Sequence, residues 1–275
     1  KLLACGTATG GVCLFGREGV EVRLPNPEQH PITWVAFCTN EGVLAVVTER
    51  PVLQLWDLKT LELRSSLPLG LPASAVYHDP GTPFLFMGNG DGAVHIVNIE
   101  RGDLALYSIS LSDYSSRTLA DDECPPDVVG VAPNPTDNRQ LLIATDAGEV
   151  VLWDLRSRTV KTRFKTSGAG LICMSWRGCG KMFACGFESG EIGIWQVKKE
   201  TQHAQLFASH AQGPRVAVTQ LKWLHYKTGK TTADALFASG GTLAEVEPPG
   251  IVVFSGDKWD SRKLYATSGL IREFA

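Results

Sequence analysis

Long basic runs and long apolar runs are both missing from this sequence. Lys and Arg number 26 against 29 Asp and Glu in 275 residues, and the net charge is −3. The chain therefore lacks the electrostatic surface typical of a nucleic-acid-binding protein, and it lacks a polybasic membrane anchor. No apolar run reaches the roughly 18 residues that a membrane-spanning helix needs, so no transmembrane helix is predicted.

Paired cysteines are missing as well. The seven cysteines are dispersed, and no Cys-x-x-Cys motif occurs; they are Cys5, Cys13, Cys38, Cys124, Cys173, Cys179 and Cys185. An odd, scattered set argues against a disulfide framework and favours a reducing, cytoplasmic setting. The chain starts at Lys1 rather than at Met, so we expect a fragment of a longer protein.

A repeat of about forty residues is the main positive feature. An aromatic or apolar residue recurs five positions after a turn, at Phe15, Trp56, Val97, Trp153 and Trp195. The first three are 41 residues apart and the last two are 42 apart, and an Asp follows two of the Trp residues. A period of roughly 40 to 45 with a Trp-Asp signature is typical of β-propeller blades, each a four-stranded antiparallel sheet.

The repeat predicts an all-β propeller that forms one domain over residues 1–275. Six blades are recognisable, at 1–24, 32–67, 74–109, 128–164, 171–207 and 216–266, and 269–275 is interpreted as the first strand of another. The ring is expected to have about seven blades, or else 269–275 pairs with the N-terminal blade. Neighbouring blades must cover one another's apolar faces, because a single blade cannot bury both of its own.

Three segments interrupt the period and are interpreted as inserted loops, at 110–127, 226–234 and 242–249. The longest contains Ser-Ser and Pro-Pro pairs and several acids, which are Asp113, Asp121, Asp122, Glu123 and Asp127. Loops of this length are either plain surface connections or have a functional role, and both interpretations stay open.

No catalytic, cofactor-binding or metal site is predicted. The Gly-rich segment 88–92 precedes a strand rather than a helix, so a hairpin turn is favoured over a phosphate-binding loop. Cys173, Cys179 and Cys185 have no paired spacing and no nearby His, so they are interpreted as small buried hydrophobes rather than zinc ligands. None of the histidines lies in a catalytic motif; they are His30, His78, His95, His203, His210 and His225.

The seven tryptophans fall into two groups. Six lie on predicted strands and are expected to pack in the core: Trp34, Trp56, Trp153, Trp176, Trp195 and Trp223. Trp259 lies in a blade-six connection and is expected to be the most exposed of the seven.

Several segments in register resemble the lethal giant larvae/tomosyn family. They are LLACGTATGGV at 2–12, GDGAVHIVNIE at 90–100, VLWDL at 151–155 and FASGG at 237–241. The resemblance covers nearly the whole chain and implies most of the first propeller of a two-propeller protein. Members of this family bind syntaxin-type SNAREs, and one branch acts in cell polarity with myosin II and atypical protein kinase C.

The resemblance therefore implies a non-enzymatic scaffold for SNARE-dependent exocytosis, vesicle trafficking or cell polarity. Its partners would be syntaxin-type SNAREs, with myosin II or atypical protein kinase C complexes in the polarity branch. It would be cytoplasmic, and peripheral at the plasma membrane or vesicles through those partners. No binding motif of the family maps onto these positions, so the partner-binding residues are unknown.

The alternative is an unrelated Trp-Asp-repeat adaptor, such as a coat subunit or a ubiquitin-ligase substrate receptor. An enzyme that uses the central channel is disfavoured, because no titratable residues converge.

Overall fold

The fold is described from a computed structural model of the chain. The residues that it describes are 2–27, 29–38, 40–80, 82–117, 119–120, 123–168, 170–207, 215–228, 231–240, 250–256, 259 and 261–266. The chain folds into two compact units, Lys1–Leu111 and Ser112–Ala275.

The first unit contains three antiparallel sheets whose strands follow one another in chain order. Sheet one is β1 (Leu3–Gly6), β2 (Val12–Phe15) and β3 (Glu21–Leu24). Sheet two is β4 (Ile32–Cys38), β5 (Val43–Thr48), β6 (Val52–Asp57) and β7 (Leu63–Pro68). Sheet three is β8 (Ala73–His78), β9 (Phe84–Asn89), β10 (Val94–Asn98) and β11 (Asp103–Leu104).

The second unit contains three more sheets of the same up-and-down order. Sheet four is β12 (Val128–Asn134), β13 (Asp137–Thr145), β14 (Val150–Asp154) and β15 (Thr159–Phe164). Sheet five is β16 (Leu171–Trp176), β17 (Met182–Phe187), β18 (Glu191–Gln196) and β19 (Gln202–Phe207). Sheet six is β20 (Val218–Thr228), β21 (Thr231–Gly240), β22 (Gly250–Ser255) and β23 (Ser261–Ala266).

The core of each unit lies between consecutive sheets. In the first unit, one buried cluster joins sheets one and two around Val12, Leu14 and Trp56, and another joins sheets two and three around Leu53 and Leu85. In the second unit, clusters join sheets four and five and sheets five and six in the same way. Strands that are covered on both faces read as continuous apolar runs, which explains segments such as the fully buried β5.

The repeated aromatic position lies in this core at four of its five occurrences. Trp56, Val97, Trp153 and Trp195 are at most 2% exposed. Phe15, the last residue of β2, is 36% exposed. The prediction that the strand tryptophans pack in the core is confirmed most clearly for these three and for Trp223, while Trp34 and Trp176 are partly buried.

The Asp of each Trp-Asp pair closes the following turn. Asp57 accepts hydrogen bonds on its carboxylate from the backbone N–H groups of Lys59 and Thr60, at 2.8 and 2.9 Å. Asp154 accepts two equivalent bonds at 2.9 Å, from Arg156 and Ser157. These bonds hold the pKa of both carboxyl groups below the ordinary value.

Three sequence predictions are wrong in detail. The predicted loop 226–234 is strand at its described residues, 226–228 and 231–234, because β20 and β21 extend into it and Tyr226 lies opposite Ala233. Trp259, predicted to be the most exposed tryptophan, is buried at 6% exposure. Its ring packs edge-on against that of Trp223, with 4.8 Å between the ring centroids. The predicted fourth strand of blade three is also shorter than expected, with β11 followed by a single bridge between Val94 and Ile109.

The predicted insertion at 110–127 begins with a short helix, α1 (Leu111–Tyr114). Tyr114 is fully buried, and its carbonyl accepts a hydrogen bond from Arg163 of β15. Farther along, Arg117 and Glu123 form an ion pair of 2.6 Å. The acids Asp121 and Asp122 and the segments 242–249 and 269–275 lie outside the described residues. The predicted single domain and the closure of the ring therefore stay predictions.

No helix in the described part of the chain is long and apolar enough to cross a membrane.

Candidate protein-interaction surface

Among the described residues, the first unit contains a buried Cys–Glu–His group made of Cys38, Glu41 and His78. His78 Nε2 lies 3.6 Å from Glu41 Oε2, and both side chains are 6% exposed. Burial, reinforced by the charge of Glu41, raises the pKa of the Cys38 thiol to about 12. A buried thiol with so high a pKa is a poor nucleophile.

The other cysteines and the Gly-rich turn follow the predictions with one exception. Burial raises the pKa of Cys173 to about 12 and that of Cys185 well above its ordinary value, as expected of cysteines packed like small hydrophobes. Cys179, in contrast, is exposed in the turn between β16 and β17, so its predicted burial is wrong. All seven cysteines are free thiols. Gly92, at φ +76°, lies in the predicted hairpin turn between β9 and β10.

The described histidines are dispersed over the sheets. His95 is within 3.2 Å of the Asn89 amide, His203 is within 3.4 Å of Gln196, and His225 contacts Asp234. His210 lies outside the described residues. Within the part of the chain that the structure describes, no three His, Cys, Asp or Glu side chains come together as a set of metal ligands.

The second unit contains a cleft of about 580 Å³. The turn between β12 and β13, the turn between β16 and β17, and the end of β18 all contribute to its lining. In an up-and-down sheet, the first-to-second turn and the end of the third strand lie at the same edge. The cleft therefore opens at one edge of sheets four and five.

A buried amide network fixes the walls of the cleft. Asn134 Nδ2 donates to the carbonyl of Gly180 at 3.0 Å and to Gln140 Oε1 at 3.2 Å. Asn134 Oδ1 accepts bonds from the backbone N–H and the hydroxyl of Thr136, both at 3.0 Å. Asn134 is 5% exposed and Gln140 is 9% exposed, so these bonds replace solvation that the amides have lost.

The turn between β16 and β17 packs closely against this network. Gly180 has a φ of +65°, and a Cβ added there would lie 2.1 Å from Asn134 Oδ1. Glycine is therefore required both by backbone conformation and by space. Next to it, Trp176 Nε1 donates to the carbonyl of Ala132 at 3.0 Å, which gives a second link between sheets four and five.

A second network extends from the cleft toward sheet six. Arg177 Nε lies 2.5 Å from one oxygen of Asp234, and His225 Nδ1 lies 2.5 Å from the other. Burial raises the pKa of the Asp234 carboxyl, but the hydrogen bonds and charges of His225 and Arg177 outweigh it and leave the pKa below its ordinary value. The Arg177 guanidinium also lies 5.7 and 5.3 Å from the ring centroids of Trp223 and Trp259.

The rim of the cleft is polar and accessible. Cys179, Lys181 and Lys198 are exposed there. Asp137 accepts bonds from Arg139 Nε at 3.0 Å and Gln140 Nε2 at 2.7 Å, which hold its pKa below the ordinary value. A rigid floor with an open charged rim suits the binding of a protein segment, whereas small-molecule sites enclose most of their ligand in apolar walls.

The sequence alone does not predict this cleft. Asn134 and Gly180 are 46 residues apart, and Arg177 and Asp234 are 57 apart. Neither pair stands in a recognisable motif, because each joins turns or strands of different sheets.

No protein-family model matches the chain. The curated protein "LLGL scribble cell polarity complex component 2" of Mus musculus is 26% identical over 261 residues, which cover 83% of this chain and 24% of that protein. The protein of the same name from Danio rerio is 28% identical over 258 residues, with the same shares covered. "Lethal(2) giant larvae protein" of Drosophila pseudoobscura pseudoobscura is 23% identical over 261 residues, which cover 88% of this chain and 22% of that protein.

These comparisons confirm the resemblance that the sequence segments indicated: the curated homologues are lethal giant larvae proteins, a family of WD40-type propellers. The chain spans about a quarter of the length of the curated relatives that it matches.

Among solved structures, a chain of "Crystal Structure of Mitotic Checkpoint Complex" superposes with a TM-score of 0.73 at 14% identity. The match covers 98% of this chain and 78% of that one. A likeness at this identity shows the fold alone, and it confirms the predicted WD40-type β-propeller with six recognisable blades.

Proposed function

We propose that this chain is a propeller of a non-enzymatic scaffold that acts in cell polarity by binding other proteins. The observation that carries the proposal is the alignment with lethal giant larvae proteins over 83% of the chain. Two of these relatives are named as components of the scribble cell polarity complex. The fold supports the proposal, because WD40-type propellers generally serve as scaffolds rather than enzymes.

The surface chemistry is consistent with binding rather than catalysis. Among the described residues, the one Cys–Glu–His group is buried around a thiol whose pKa is about 12. The cleft in the second unit instead combines a fixed floor with exposed rim residues. Such a surface can hold a partner segment, but it carries no set of groups poised for proton transfer or nucleophilic attack.

The finer proposal is that the protein regulates SNARE-dependent exocytosis or vesicle trafficking through syntaxin-type SNAREs. Myosin II or atypical protein kinase C complexes are the partners proposed for a polarity role. The protein would be cytoplasmic and would reach the plasma membrane or vesicles through these partners. The resemblance of the sequence to the lethal giant larvae/tomosyn family supports this assignment. The adaptor alternative has only the shared fold in its favour.

The test is a pull-down with the full-length protein that contains this chain. Immobilised syntaxin-type SNARE domains, and separately atypical protein kinase C complexes, are compared with an unrelated coiled coil of matched length and charge. Retention on either bait above the control supports the scaffold proposal, and the bait that retains the protein selects between exocytosis and polarity. Retention on neither bait contradicts it.

A further inference from the structure

Positively charged side chains outnumber negatively charged ones in the lining of the cleft. Arg177, Lys181 and Lys198 line it, and Asp137 is its acidic lining residue. Arg177 is paired with Asp234, and Asp137 is paired with Arg139. The two lysines are exposed, and no carboxylate of the described residues lies within salt-bridge distance of either. A local excess of positive charge therefore remains on a chain whose net charge is −3.

The remaining lining groups suit an extended backbone. The Thr136 hydroxyl donates its hydrogen to Asn134 Oδ1 and can still accept a hydrogen bond, and the Gln196 amide can both donate and accept. Met182 and Val197 add apolar surface, and a thioether adapts readily to different side chains. The cleft can thus pair with a peptide main chain and still accept an apolar side chain between charged ones.

We propose that this cleft binds an extended protein segment rich in Asp and Glu, whose carboxylates pair with Lys181 and Lys198. The proposal rests on the proposed scaffold function and adds to it a site and the chemistry of a partner. The network around Asn134 holds the two turns in place before binding, so little ordering of the protein is required. A nucleic acid is disfavoured, because two rim lysines do not make the basic stripe that a phosphate backbone needs.

The first experiment measures binding of a fluorescein-labelled peptide of alternating Glu and Ser to the full chain by fluorescence anisotropy. Its matched control peptide has Gln in place of every Glu. We expect binding of the acidic peptide alone, weakened about tenfold by the double substitution Lys181→Gln and Lys198→Gln. The control double variant, Lys59→Gln with Lys161→Gln, removes two exposed lysines away from the cleft and should bind like the wild type.

The second experiment locates the peptide through cysteine reactivity. Cys179 lines the cleft and is exposed, whereas Cys124 is exposed and does not line it. At a peptide concentration about ten times its Kd, alkylation of Cys179 by N-ethylmaleimide should slow about tenfold. Alkylation of Cys124 should continue at its original rate. Mass spectrometry of tryptic peptides reads both sites in one sample, so the protein serves as its own control.

Four results would overturn the proposal, and three of them concern the peptide. One is equal binding of the Glu and Gln peptides, another is equal weakening by the cleft and control double variants, and the third is unchanged alkylation of Cys179. Tighter binding of a single-stranded DNA of similar length would also overturn it. A failed peptide experiment beside a successful SNARE or kinase pull-down removes this site but leaves the scaffold proposal. Peptide binding together with failed pull-downs keeps the cleft as a binding site but contradicts the scaffold proposal.

Discussion

The side-chain amide of Asn134 donates a hydrogen bond to the carbonyl of Gly180, 3.0 Å away, and so joins the first turn of sheet four to the first turn of sheet five. Gly180 has a left-handed φ of +65°, and the space that a Cβ would need is occupied by Asn134 Oδ1 and Thr136 Oγ1. The contact therefore requires an amide side chain at position 134 and glycine at position 180. Both residues line the cleft, so the contact fixes two of its walls.

Substitution of either partner should destabilise the protein. Asn134→Ala leaves the Gly180 carbonyl and Thr136 without their buried partner, and we expect a loss of about 1–3 kcal/mol. Gly180→Ala adds backbone strain and a steric clash, and we expect a loss of about 2–4 kcal/mol. Urea unfolding followed by tryptophan fluorescence measures both. Gly178→Ala is the control, because it lies in the same turn with open space around its Cβ, and it should change stability little.

The turns that follow the two Trp-Asp pairs contain strained residues. Leu61 and Arg158 occupy equivalent positions, with φ of +60° and +57°. Because a non-glycine residue is disfavoured there, Arg158→Gly should raise the free energy of unfolding by about 0.5–1 kcal/mol. Arg156→Gly in the same turn relieves no strain and should lower stability or leave it unchanged. A gain for both variants, or for neither, would contradict this explanation.

Stability should depend on pH through Asp234. Its carboxyl has a lowered pKa in the folded state, so its contribution is complete above the unfolded pKa of about 3.9 and is lost as the pH falls through the folded value. Asp234→Asn should therefore lower the free energy of unfolding by about 1–3 kcal/mol at neutral pH. The difference from the wild type should narrow below about pH 4.

The control for that titration is Asp103→Asn. Asp103 pairs with Arg101 at 3.3 Å, but its side chain is about half exposed, at 52%. A solvent-exposed pair contributes little, so the substitution should change stability by less than about 0.5 kcal/mol at any pH. A constant Asp234→Asn difference from neutral to acid pH would show that the charge of Asp234 is not what stabilises the contact with Arg177.

Cysteine reactivity should divide the thiols into two classes. Cys124 and Cys179 are exposed and should react promptly with N-ethylmaleimide under native conditions. Cys38 and Cys173, whose pKa values are raised to about 12, should react only after unfolding, as should Cys185. Timed alkylation with mass spectrometry, with and without urea, makes the comparison. Prompt native reaction of Cys38 would contradict the packing of sheets two and three.

Most of the fold could be predicted from local sequence. The 41-residue spacing placed Trp56 and Val97 at equivalent positions of their sheets, and both are buried as expected. A strand covered on both faces has a continuous apolar run, and a hairpin has its own turn residues, so both can be read within a few residues.

The failures involve contacts that the local sequence pattern does not reveal. Trp259 follows a strand and looks like a surface residue, but Trp223 of the same sheet buries it. Residues 226–228 and 231–234 match no blade period, yet they continue the ladder of β20 and β21, in which Tyr226 lies opposite Ala233. The cleft was missed for the same reason, since Asn134 meets Gly180 only after two sheets have stacked.

The most direct test of the central claim is an exchange experiment. The segment of the Mus musculus relative that aligns with this chain is replaced by the chain, and the chimera is expressed in cells that lack that relative. The measured quantity is the fraction of cells that recover apical–basal polarity, compared with the unaltered relative and with a chimera that carries an unrelated WD40 propeller. Recovery with this chain but not with the unrelated propeller is the predicted result. A chimera that is expressed and stable but rescues no better than the unrelated propeller would contradict the assignment.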